Sequence, residues 1–536
     1  MTARVRYSAA AVAAALAAAV VYGLVSGGGA PLDDAAPTGC LPRIRPDYAG
    51  VTIPPNIAPL NFVVEEPADR YAARLRGPAG DPVEVASGTG AIAIPLGPWR
   101  RLLAANRGRE LVVEVGTRTA RGTWQRFAPF TVRVAEEPID RYLVYRFIRP
   151  IHNNYKTIDI CQRDLEGHDV SFVVRNVDMA RGCVNCHTFS VKDPSRMFLH
   201  VRGPLGAAMI LARDGKVVRV DTRTALGGAP AGYASWHPSG RLLAFSMNRL
   251  SQLFHTMGEN RDVFDAHSDL ALYLVDSNTV TTTDAISLPD RNETWPAWSA
   301  DGRHLYFSAA PKLPQDRFRE VRYDLMRIGY DPQAGAWGAL ETVLAAADTG
   351  RSILEPRPSP DGRWLLVAMC EYGNFPIYQP SCDLYLVDPA AGTHRPLECN
   401  SPQCDSFHSW SSNSRWIVFS SKRDDGLFAR PYFSYLDTDG RARKPFVLPQ
   451  EDPTYYDSCI RTYNAPELAT APVPASRREF ARVIRSPGPD ESIKAVLDPR
   501  VPPRAEPADA GPEPPWKPAG SPPDPSDRRA GRHDGG

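Results

Sequence analysis

The stretch Ser235-Trp236-His237-Pro238-Ser239-Gly240-Arg241, followed by Leu242-Leu243-Ala244-Phe245-Ser246, indicates the fold of this 536-residue chain. A polar tight turn leads there into a short, largely apolar strand. The pattern returns at 297–308, 359–367 and 409–420, and its turn positions Gly240, Gly302, Gly362 and Ser414 are about 50 to 60 residues apart. One such unit cannot bury both faces of its own sheet, so neighbouring units must stack, and closure into a ring removes exposed edges. The sequence therefore predicts a β-propeller of five or six blades over residues 201–468.

A second strand follows most of these turns, in the segments Asp269–Tyr273, Asp324–Ile328 and Asp383–Val387. A weaker first unit is expected at 209–220, and strand residues near Tyr463 are expected to join it and close the ring. Proline (52 residues) and glycine (40 residues) are frequent, which suits many short strands and turns and disfavours a mainly helical protein. Lys+Arg (62) balances Asp+Glu (61), which argues against a nucleic-acid partner.

The amino terminus is predicted to be a targeting segment. Arg4 and Arg6 precede an uncharged, Ala/Val-rich stretch that ends near Leu32. This order is typical of an export signal, and the stretch is nearly long enough to span a bilayer. Residues 1–32 are thus expected to be a signal peptide or a retained inner-membrane anchor, with the rest of the chain in the periplasm.

Two further regions flank the propeller in this interpretation. Residues 45–145 alternate apolar and polar residues in short runs separated by Gly and Pro, which predicts a small β-sandwich domain. Residues 469–536 are rich in proline, and we expect them to form a disordered tail. The expected fold is therefore mainly β: a sandwich, a haem-bearing linker and a propeller.

The linker, residues 146–200, contains the motif that carries chemistry. Cys183-Val184-Asn185-Cys186-His187 has the C-x-x-C-H pattern of haem c attachment. In that pattern two thiols reach both vinyl groups of one porphyrin, and the adjacent histidine ligates the iron. A zinc site would need a second pair of ligands, and a thioredoxin-like centre would need a helix after the motif. The single motif predicts one covalent haem c held by Cys183, Cys186 and His187.

The second axial ligand of the iron stays open at this stage. His200 follows the motif closely, and His255 lies in a polar excursion after the first clear repeat, so each is a candidate distal ligand. A methionine or no ligand is the alternative; the methionines considered are Met179, Met197, Met247 and Met257.

The seven other cysteines suggest disulfides in an oxidising compartment. Three pairs are considered: Cys370 with Cys382, Cys399 with Cys404, and Cys40 with Cys161. One cysteine remains without a partner, and the pairing itself cannot be deduced from sequence.

Over roughly residues 142–468 the chain resembles the bacterial family of exported proteins that join a C-x-x-C-H cytochrome motif to a TolB-like propeller of PD40 (WD40-like) repeats. The resemblance rests on the motif and on five further segments: His200–Gly203, Gln252–His255, Asp265–Ser268, Phe407–Asn413 and Lys444–Gln450. It implies a TolB-like propeller and covalent haem c, and it supplies no substrate. Ser414 departs from the glycine of the repeat turn.

The leading functional hypothesis is a monohaem c-type cytochrome that carries out electron transfer or redox sensing, with the propeller as the docking platform for a redox partner protein. A haem-dependent, peroxidase-like enzyme and a binding module with structural haem are the alternatives. A propeller hydrolase is disfavoured because no G-x-S-x-G nucleophile motif occurs in the chain. Whether the protein is an enzyme stays open.

Overall fold

The computed structural model describes residues 32–120, 122–149, 157–227, 230–254 and 261–504, without the side chains of 251–254 and 261. The predicted targeting segment therefore lies outside the described residues, apart from Leu32. Residues 505–536 of the predicted tail lie outside them as well.

An amino-terminal β domain contains the first ten strands and one helix. Its elements are β1 Ala36–Pro37, β2 Ile44–Arg45, β3 Thr52–Ile53, β4 Phe62–Val64, β5 Arg70–Arg76, β6 Val83–Ser87, β7 Ala91–Ile92, α1 Leu96–Ala105, β8 Glu110–Arg118, β9 Gln125–Arg126 and β10 Phe130–Val134. The larger sheet has the order β1-β9-β8-β10-β3, with β5 and β6 beyond β8, and the smaller sheet has the order β2-β4-β7.

The core of this domain forms between the sheets and α1. Along β10 buried and exposed residues alternate strictly, as a strand covered on one face requires. Trp99 of α1 is buried, and its Nε1 donates a hydrogen bond to the carbonyl of Ile57 at 2.9 Å. The predicted small β-sandwich is confirmed.

Six four-stranded blades follow within the described residues. From the innermost strand outward, blade 1 consists of β34 Thr462–Ala469, β11 Tyr142–Ile148, β12 Ile158–Asp164 and β13 Val170–Arg175, and blade 2 consists of β14 Cys183–Ser190, β15 Asp193–Arg202, β16 Ala208–Arg213 and β17 Lys216–Asp221; blade 3 consists of β18 Ala234–Trp236, β19 Leu242–Phe254, β20 Arg261–Leu274 and β21 Thr279–Thr281. In the same order, blade 4 consists of β22 Arg291–Trp298, β23 His304–Pro311, β24 Asp324–Asp331 and β25 Ala336–Leu344; blade 5 consists of β26 Ser352–Pro358, β27 Leu365–Cys370, β28 Asp383–Asp388 and β29 Thr393–Pro396; blade 6 consists of β30 Asp405–Trp410, β31 Trp416–Ser421, β32 Arg430–Tyr435 and β33 Phe446–Val447.

The blades form a closed ring. Each innermost strand contacts the innermost strand of the next blade, and β34 of blade 1 contacts β14 of blade 2. Blade 1 combines the carboxyl-terminal strand β34 with three strands from before residue 176, and β34 pairs with β11 in antiparallel register. The two ends of the propeller are thus held in one sheet, which leaves no open edge between first and last blade.

The remaining elements are short or lie outside the ring. They are β35 Ser492–Lys494, β36 Val496–Leu497, α2 Ala346–Thr349, α3 Tyr455–Ser458, α4 Arg477–Arg485 and the 3-10 turns Asn176–Met179, Asp284–Ile286, Gln315–Glu320, Pro376–Tyr378 and Pro489–Glu491.

The repeat turn has the same construction in several blades. Gly240, Gly302 and Gly362 have φ of +66°, +72° and +74°, a region that favours glycine. Ser414, at the equivalent position of blade 6, has φ of +60°, and its hydroxyl accepts a hydrogen bond from the Asp361 N–H at 3.0 Å. Ser414 therefore replaces the turn glycine and, through its hydroxyl, also bonds to the neighbouring blade 5.

Three predicted boundaries were wrong. Residues 146–200 do not form a linker; they contribute to β11–β15, because their backbone groups pair within blades 1 and 2. The unit at 209–220 is the outer half of blade 2, and Tyr463 pairs with β11 instead.

The third correction concerns the tail, which is ordered up to residue 504. Helix α4 buries Phe480, Val483 and Ile484 between blades 1 and 2, and β35 and β36 extend the sheets of blades 2 and 3. The high proline content of residues 469–536 led to the prediction of disorder, although the proline-free segment Arg477–Arg485 forms a short amphipathic helix.

Candidate functional site

The C-x-x-C-H motif lies on β14, the innermost strand of blade 2, next to the propeller axis. Cys183 stands opposite Arg202 of β15, and Asn185 stands opposite His200. The ladder then breaks between Asn185 and Thr188, and Cys186 has φ of +54°. A positive φ is uncommon for a residue other than glycine, and here it belongs to a β-bulge that bends the strand.

The same bulge recurs in four other innermost strands. Each carries one residue with positive φ: Trp295 (+55°), Glu355 (+53°), Phe407 (+49°) and Ala465 (+44°). Their side chains meet near the axis. The rings of Tyr233 and Trp295 stack with centroids 3.6 Å apart, and those of Trp295 and Phe407 meet edge to face at 5.9 Å. The second cysteine of the motif thus occupies the bulge position of its strand, which is next to the channel in the four other strands.

Both thiols of the motif face blade 3. On β15, Phe198 packs against blade 3, and Arg202 shares that face because side chains alternate along a strand. Cys183 lies opposite Arg202, and Cys186 packs against the same apolar cluster as Phe198.

His187 faces the opposite side, towards blade 1. Its Nε2 lies 3.3 Å from the carbonyl oxygen of Val144 on β11, and its ring lies 6.1 Å from that of Phe189. Burial lowers the pKa of His187 to about 4, so the imidazole is neutral at pH 7. Its Nδ1 is buried and has no hydrogen-bond partner among the described residues.

The donor set fits haem c by its chemistry. Attachment needs two unpaired thiols, and an iron ligand must be a neutral imidazole. Cys183 and Cys186 are both unbonded, and burial raises the pKa of Cys186 to about 11. In placement, however, the fold brings the two thiols to one face of β14 and His187 to the other.

His200 lies on the same face as the thiols. It is 7% exposed, and its Nε2 has no hydrogen-bond partner in the described part of the chain. Burial lowers the pKa of His200 to about 3, so this imidazole is neutral as well. His255, the other candidate distal ligand, lies outside the described residues, as does Met257. Met179 and Met197 pack on the blade 1 side of the sheet.

A buried guanidinium group lies beside the motif. Arg146 of β11 is 5% exposed, and its guanidinium carbon is 5.6 Å from the centroid of the Phe407 ring. No carboxylate pairs with it among the residues described here, and its Nε has no acceptor there. The channel therefore contains a positive charge that is balanced by the face of an aromatic ring.

A cavity of about 210 Å³ occupies the channel at the face where the innermost strands turn into the second strands. All six blades contribute to its wall, through His187, Trp236, Trp298, Glu355, His408 and Glu467 among others.

Glu355 and His408 are the buried titratable pair of this cavity. Oε2 of Glu355 accepts a hydrogen bond from the Phe407 N–H at 2.7 Å, and it lies 3.9 Å from Nδ1 of His408. Burial raises the pKa of Glu355 to about 7 and lowers that of His408 to about 3. Nε2 of His408 donates to the carbonyl of Leu366 at 3.1 Å, which leaves Nδ1 as an acceptor.

Glu355 and His408 belong to no catalytic motif that the sequence displays, so neither was predicted as a site residue. The signal that could have found them is spacing. Glu355 precedes the first polar turn residue, Ser359, by the same four positions that separate Trp295 from Ser299 in blade 4. Residues at this spacing line the channel.

The cysteines of blade 5 cluster differently from the expectation. Sγ of Cys370 and Sγ of Cys382 lie 3.0 Å apart, which agrees with the first predicted pair. Cys404 lies near Cys382 and its thiol faces Pro376, so the fold does not favour the pair with Cys399. All described cysteines are unbonded in the structure, so the pairing stays a prediction.

The described residues contain no cluster of three or more His, Cys, Asp or Glu side chains arranged to hold a metal ion. Within the same residues, no helix is both long and apolar enough to cross a membrane.

Comparison with known proteins identifies no family. No family profile and no curated protein matches the chain. Among solved structures, the chain is similar to an oligogalacturonate lyase in complex with manganese (TM-score 0.32, 12% identity, 56% of this chain and 72% of the other). It is also similar to the periplasmic gluconolactonase PpgL of Pseudomonas aeruginosa (0.33, 14%, 58% and 97%) and to the Dos1 propeller (0.26, 12%, 42% and 63%). The assignment as a β-propeller itself follows from the strand pairing of this chain.

Proposed function

We propose that this protein is an exported monohaem c-type cytochrome that transfers electrons to or from a partner protein, or senses redox state. The observation that carries the proposal is the pair of unbonded thiols, Cys183 and Cys186, on one face of the innermost strand of blade 2. Haem c, when bound, supplies one-electron chemistry at its iron.

The bulge at Cys186 supports attachment at this strand. In a regular strand, residues three apart point to opposite faces, so Cys183 and Cys186 would diverge. The extra residue of the bulge and the positive φ of Cys186 bring both side chains to the face towards blade 3. The fold therefore presents the two thiols together, as attachment to one porphyrin requires.

Two neutral imidazoles are proposed as axial ligands, although only His200 lies on the thiol face in this structure, so His187 would have to turn away from the blade 1 side to reach the same iron. The C-x-x-C-H pattern assigns one axial position to His187, and His200 on the thiol face is the candidate for the other. Each is buried, and each has a ring nitrogen without a partner among the described residues. A buried nitrogen of this kind is costly unless a ligand or metal uses it.

The remaining parts of the proposal concern location and partner. The amino-terminal segment is proposed to export the chain to the periplasm and to remain as an inner-membrane anchor if it is not cleaved. The rigid propeller is proposed as the docking platform for the redox partner. No nucleic-acid partner is expected, since the charges of the chain balance.

The test is expression of the full chain in a host with a haem c maturation system. We expect one haem per chain that stays attached on a denaturing gel and gives a reversible absorption change between oxidised and reduced forms. The C183S/C186S double variant should lose the haem, whereas the control Cys40→Ser, at an exposed cysteine, should keep it. A folded wild-type protein without covalent haem would reject the proposal.

A haem-dependent redox enzyme is the second candidate, and the channel cavity beside His187 favours it. An enzyme of this kind needs an iron position that small molecules can reach. Addition of cyanide or imidazole to the loaded protein distinguishes the two functions. A fast change of the absorption spectrum supports the enzyme, and an unchanged spectrum supports electron transfer.

A further inference from the structure

We propose that the channel cavity binds a small hydroxylated carboxylic acid, with its carboxylate at Arg357 and its hydroxyl at Glu355 and His408. This site is distinct from the two thiols, which do not line the cavity. The inference does not depend on haem attachment.

A positive charge that forms no ion pair with any described carboxylate belongs to the cavity wall, and it acts on the nearby Glu355 carboxyl only through space. Arg357 lines the cavity wall, and within the described chain no carboxylate forms an ion pair with its guanidinium group. Lys192, the other cation of the wall, is already engaged by Glu467 at 3.4 Å and by the Ser409 hydroxyl at 2.9 Å. Arg357 is thus the group available for an anion, and guanidinium groups bind carboxylates through two parallel hydrogen bonds.

Two indole N–H donors of the wall are also unused. Nε1 of Trp236 and Nε1 of Trp298 are buried, and neither has an acceptor in the described residues. Trp410, at the equivalent position of blade 6, donates its Nε1 to the carbonyl of Arg357 at 2.8 Å. Native proteins rarely leave such donors unpaired. We therefore infer that the two indole N–H groups donate to acceptor atoms of a ligand.

The acceptors lie on the blade 5 and blade 6 side of the cavity. Oε1 of Glu355 and Nδ1 of His408 are buried without partners among the described residues. The second polar atom of each side chain is already hydrogen-bonded. Oε2 of Glu355 accepts from the Phe407 N–H, and Nε2 of His408 donates to the Leu366 carbonyl. These two fixed acceptors match a donor such as a hydroxyl group.

The size and walls of the cavity define the body of the ligand. Its volume of about 210 Å³ is below the range of roughly 300–1,000 Å³ typical of pockets for drug-sized molecules. Trp236, Trp298, Pro358 and Pro360 contribute apolar surface to its wall. A single ring carrying one acid group and one hydroxyl suits this shape.

The test is isothermal titration of the full-length protein with 4-hydroxybenzoate, with the haem content recorded by absorbance so that haem loading and binding are read separately. Two matched compounds separate the contributions: 4-hydroxybenzamide lacks the charge, and benzoate lacks the hydroxyl. We expect both to bind roughly 10-fold more weakly than 4-hydroxybenzoate, since a hydrogen bond to a charged group is worth about that factor or more.

Two variants locate the site. Arg357→Gln should weaken binding of 4-hydroxybenzoate by at least about 10-fold, and Trp298→Phe should weaken it by roughly 3-fold or more while keeping an aromatic ring. Arg441→Gln and Trp337→Phe, at residues outside the cavity, are the controls and should bind as the wild type does.

Three outcomes overturn the proposal. They are absence of binding at millimolar concentration, equal binding of 4-hydroxybenzamide, and binding that Arg357→Gln leaves unchanged. Unfolding curves of each variant exclude loss of the fold as the cause, because a variant with wild-type stability and lost binding has lost the site itself.

Discussion

His187 and His200 belong to paired strands, yet they face opposite sides of the blade 2 sheet. Both are buried and neutral, because burial lowers the pKa of each. Only His200 shares a face with Cys183 and Cys186. At the scale of single residues, the direction of the side chain therefore decides which histidine can reach the proposed haem on the thiol face.

If the proposed haem is attached, we expect His200→Ala to change its absorption spectrum and potential while the haem stays covalently bound. The reason is that His200 is the buried imidazole on the thiol face. His394→Ala, at an exposed histidine, is the control and should leave the spectrum unchanged. Wild-type spectra and potential in His200→Ala would reject His200 as a ligand.

Glu355 provides a prediction on pH and stability. Its pKa is about 7 in the folded chain against 4.5 as the ordinary value, because burial disfavours the carboxylate. The folded state therefore binds more protons than the unfolded state between these values, so the stability contributed at low pH is lost as the pH rises through about 7. Glu355→Gln removes this loss, since its side chain carries no charge at any pH.

The free energy of unfolding of Glu355→Gln relative to the wild type should thus increase between pH 5 and pH 8, by up to about 3 kcal/mol. Urea denaturation of both proteins at the two pH values measures it. Other titrating groups are common to both proteins and cancel in the difference. A difference that is the same at pH 5 and pH 8 would show that Glu355 titrates normally.

At the scale of elements, the bulged innermost strand and the turn after it are the repeated device of this propeller. In five of the six innermost strands the bulge turns one residue towards the channel, and the turn glycine lets the chain reverse against the neighbouring blade. A Cβ atom added at Gly302 would lie 2.4 Å from Nε2 of His237 in blade 3. In the structure, Nε2 of His237 lies 3.1 Å from the carbonyl oxygen of Gly302, so this side chain contacts the turn directly.

Gly302→Ala should therefore cost about 3 kcal/mol, since it adds a clash with His237 to the strain of a positive φ. Gly335→Ala is the matched control. Its φ is +61°, and no atom lies within 4 Å of the added Cβ, so about 1 kcal/mol is expected. Equal losses of unfolding free energy in the two variants would show that the close approach of His237 to residue 302 does not affect stability.

At the scale of the whole molecule, the ring depends on residues that are far apart in sequence. Strand β34 forms the inner edge of blade 1, and α4 then fills the groove between blades 1 and 2. The sandwich domain also rests on blade 6, where Nε1 of Trp416 donates to the carbonyl of Glu137 at 3.0 Å. Closure, groove filling and domain contact all involve the last third of the chain.

Three truncations test this order. A chain that ends at Arg504 keeps every described strand and should unfold like the full protein. A chain that ends at Ala475 keeps the ring but loses α4 with its buried residues Phe480, Val483 and Ile484, together with β35 and β36, so we expect a loss of at least roughly 5 kcal/mol. A chain that ends at Arg461 lacks β34 and should show no cooperative unfolding transition in circular dichroism. A cooperative transition in that last chain would contradict closure by β34.

The sequence by itself determined the propeller and the sandwich, and it is also the source of the proposal that the motif binds haem c. The turn and strand repeat is a local pattern, and a period of turns followed by apolar strands has few other ways to bury its faces. The C-x-x-C-H spacing is likewise local, so the proposed attachment residues Cys183, Cys186 and His187 follow from it alone.

Only the tertiary structure decided which residues share a face or a cavity. Strand β34 pairs with a strand some 300 residues earlier, and no local pattern encodes a contact at that distance. Glu355 reaches the channel cavity and Cys186 reaches the thiol face because a bulge changes the direction of one side chain in five of the six innermost strands. Periodicity predicts alternation and cannot predict such a reversal, since the bulge arises only when the strand bends around the axis of the ring.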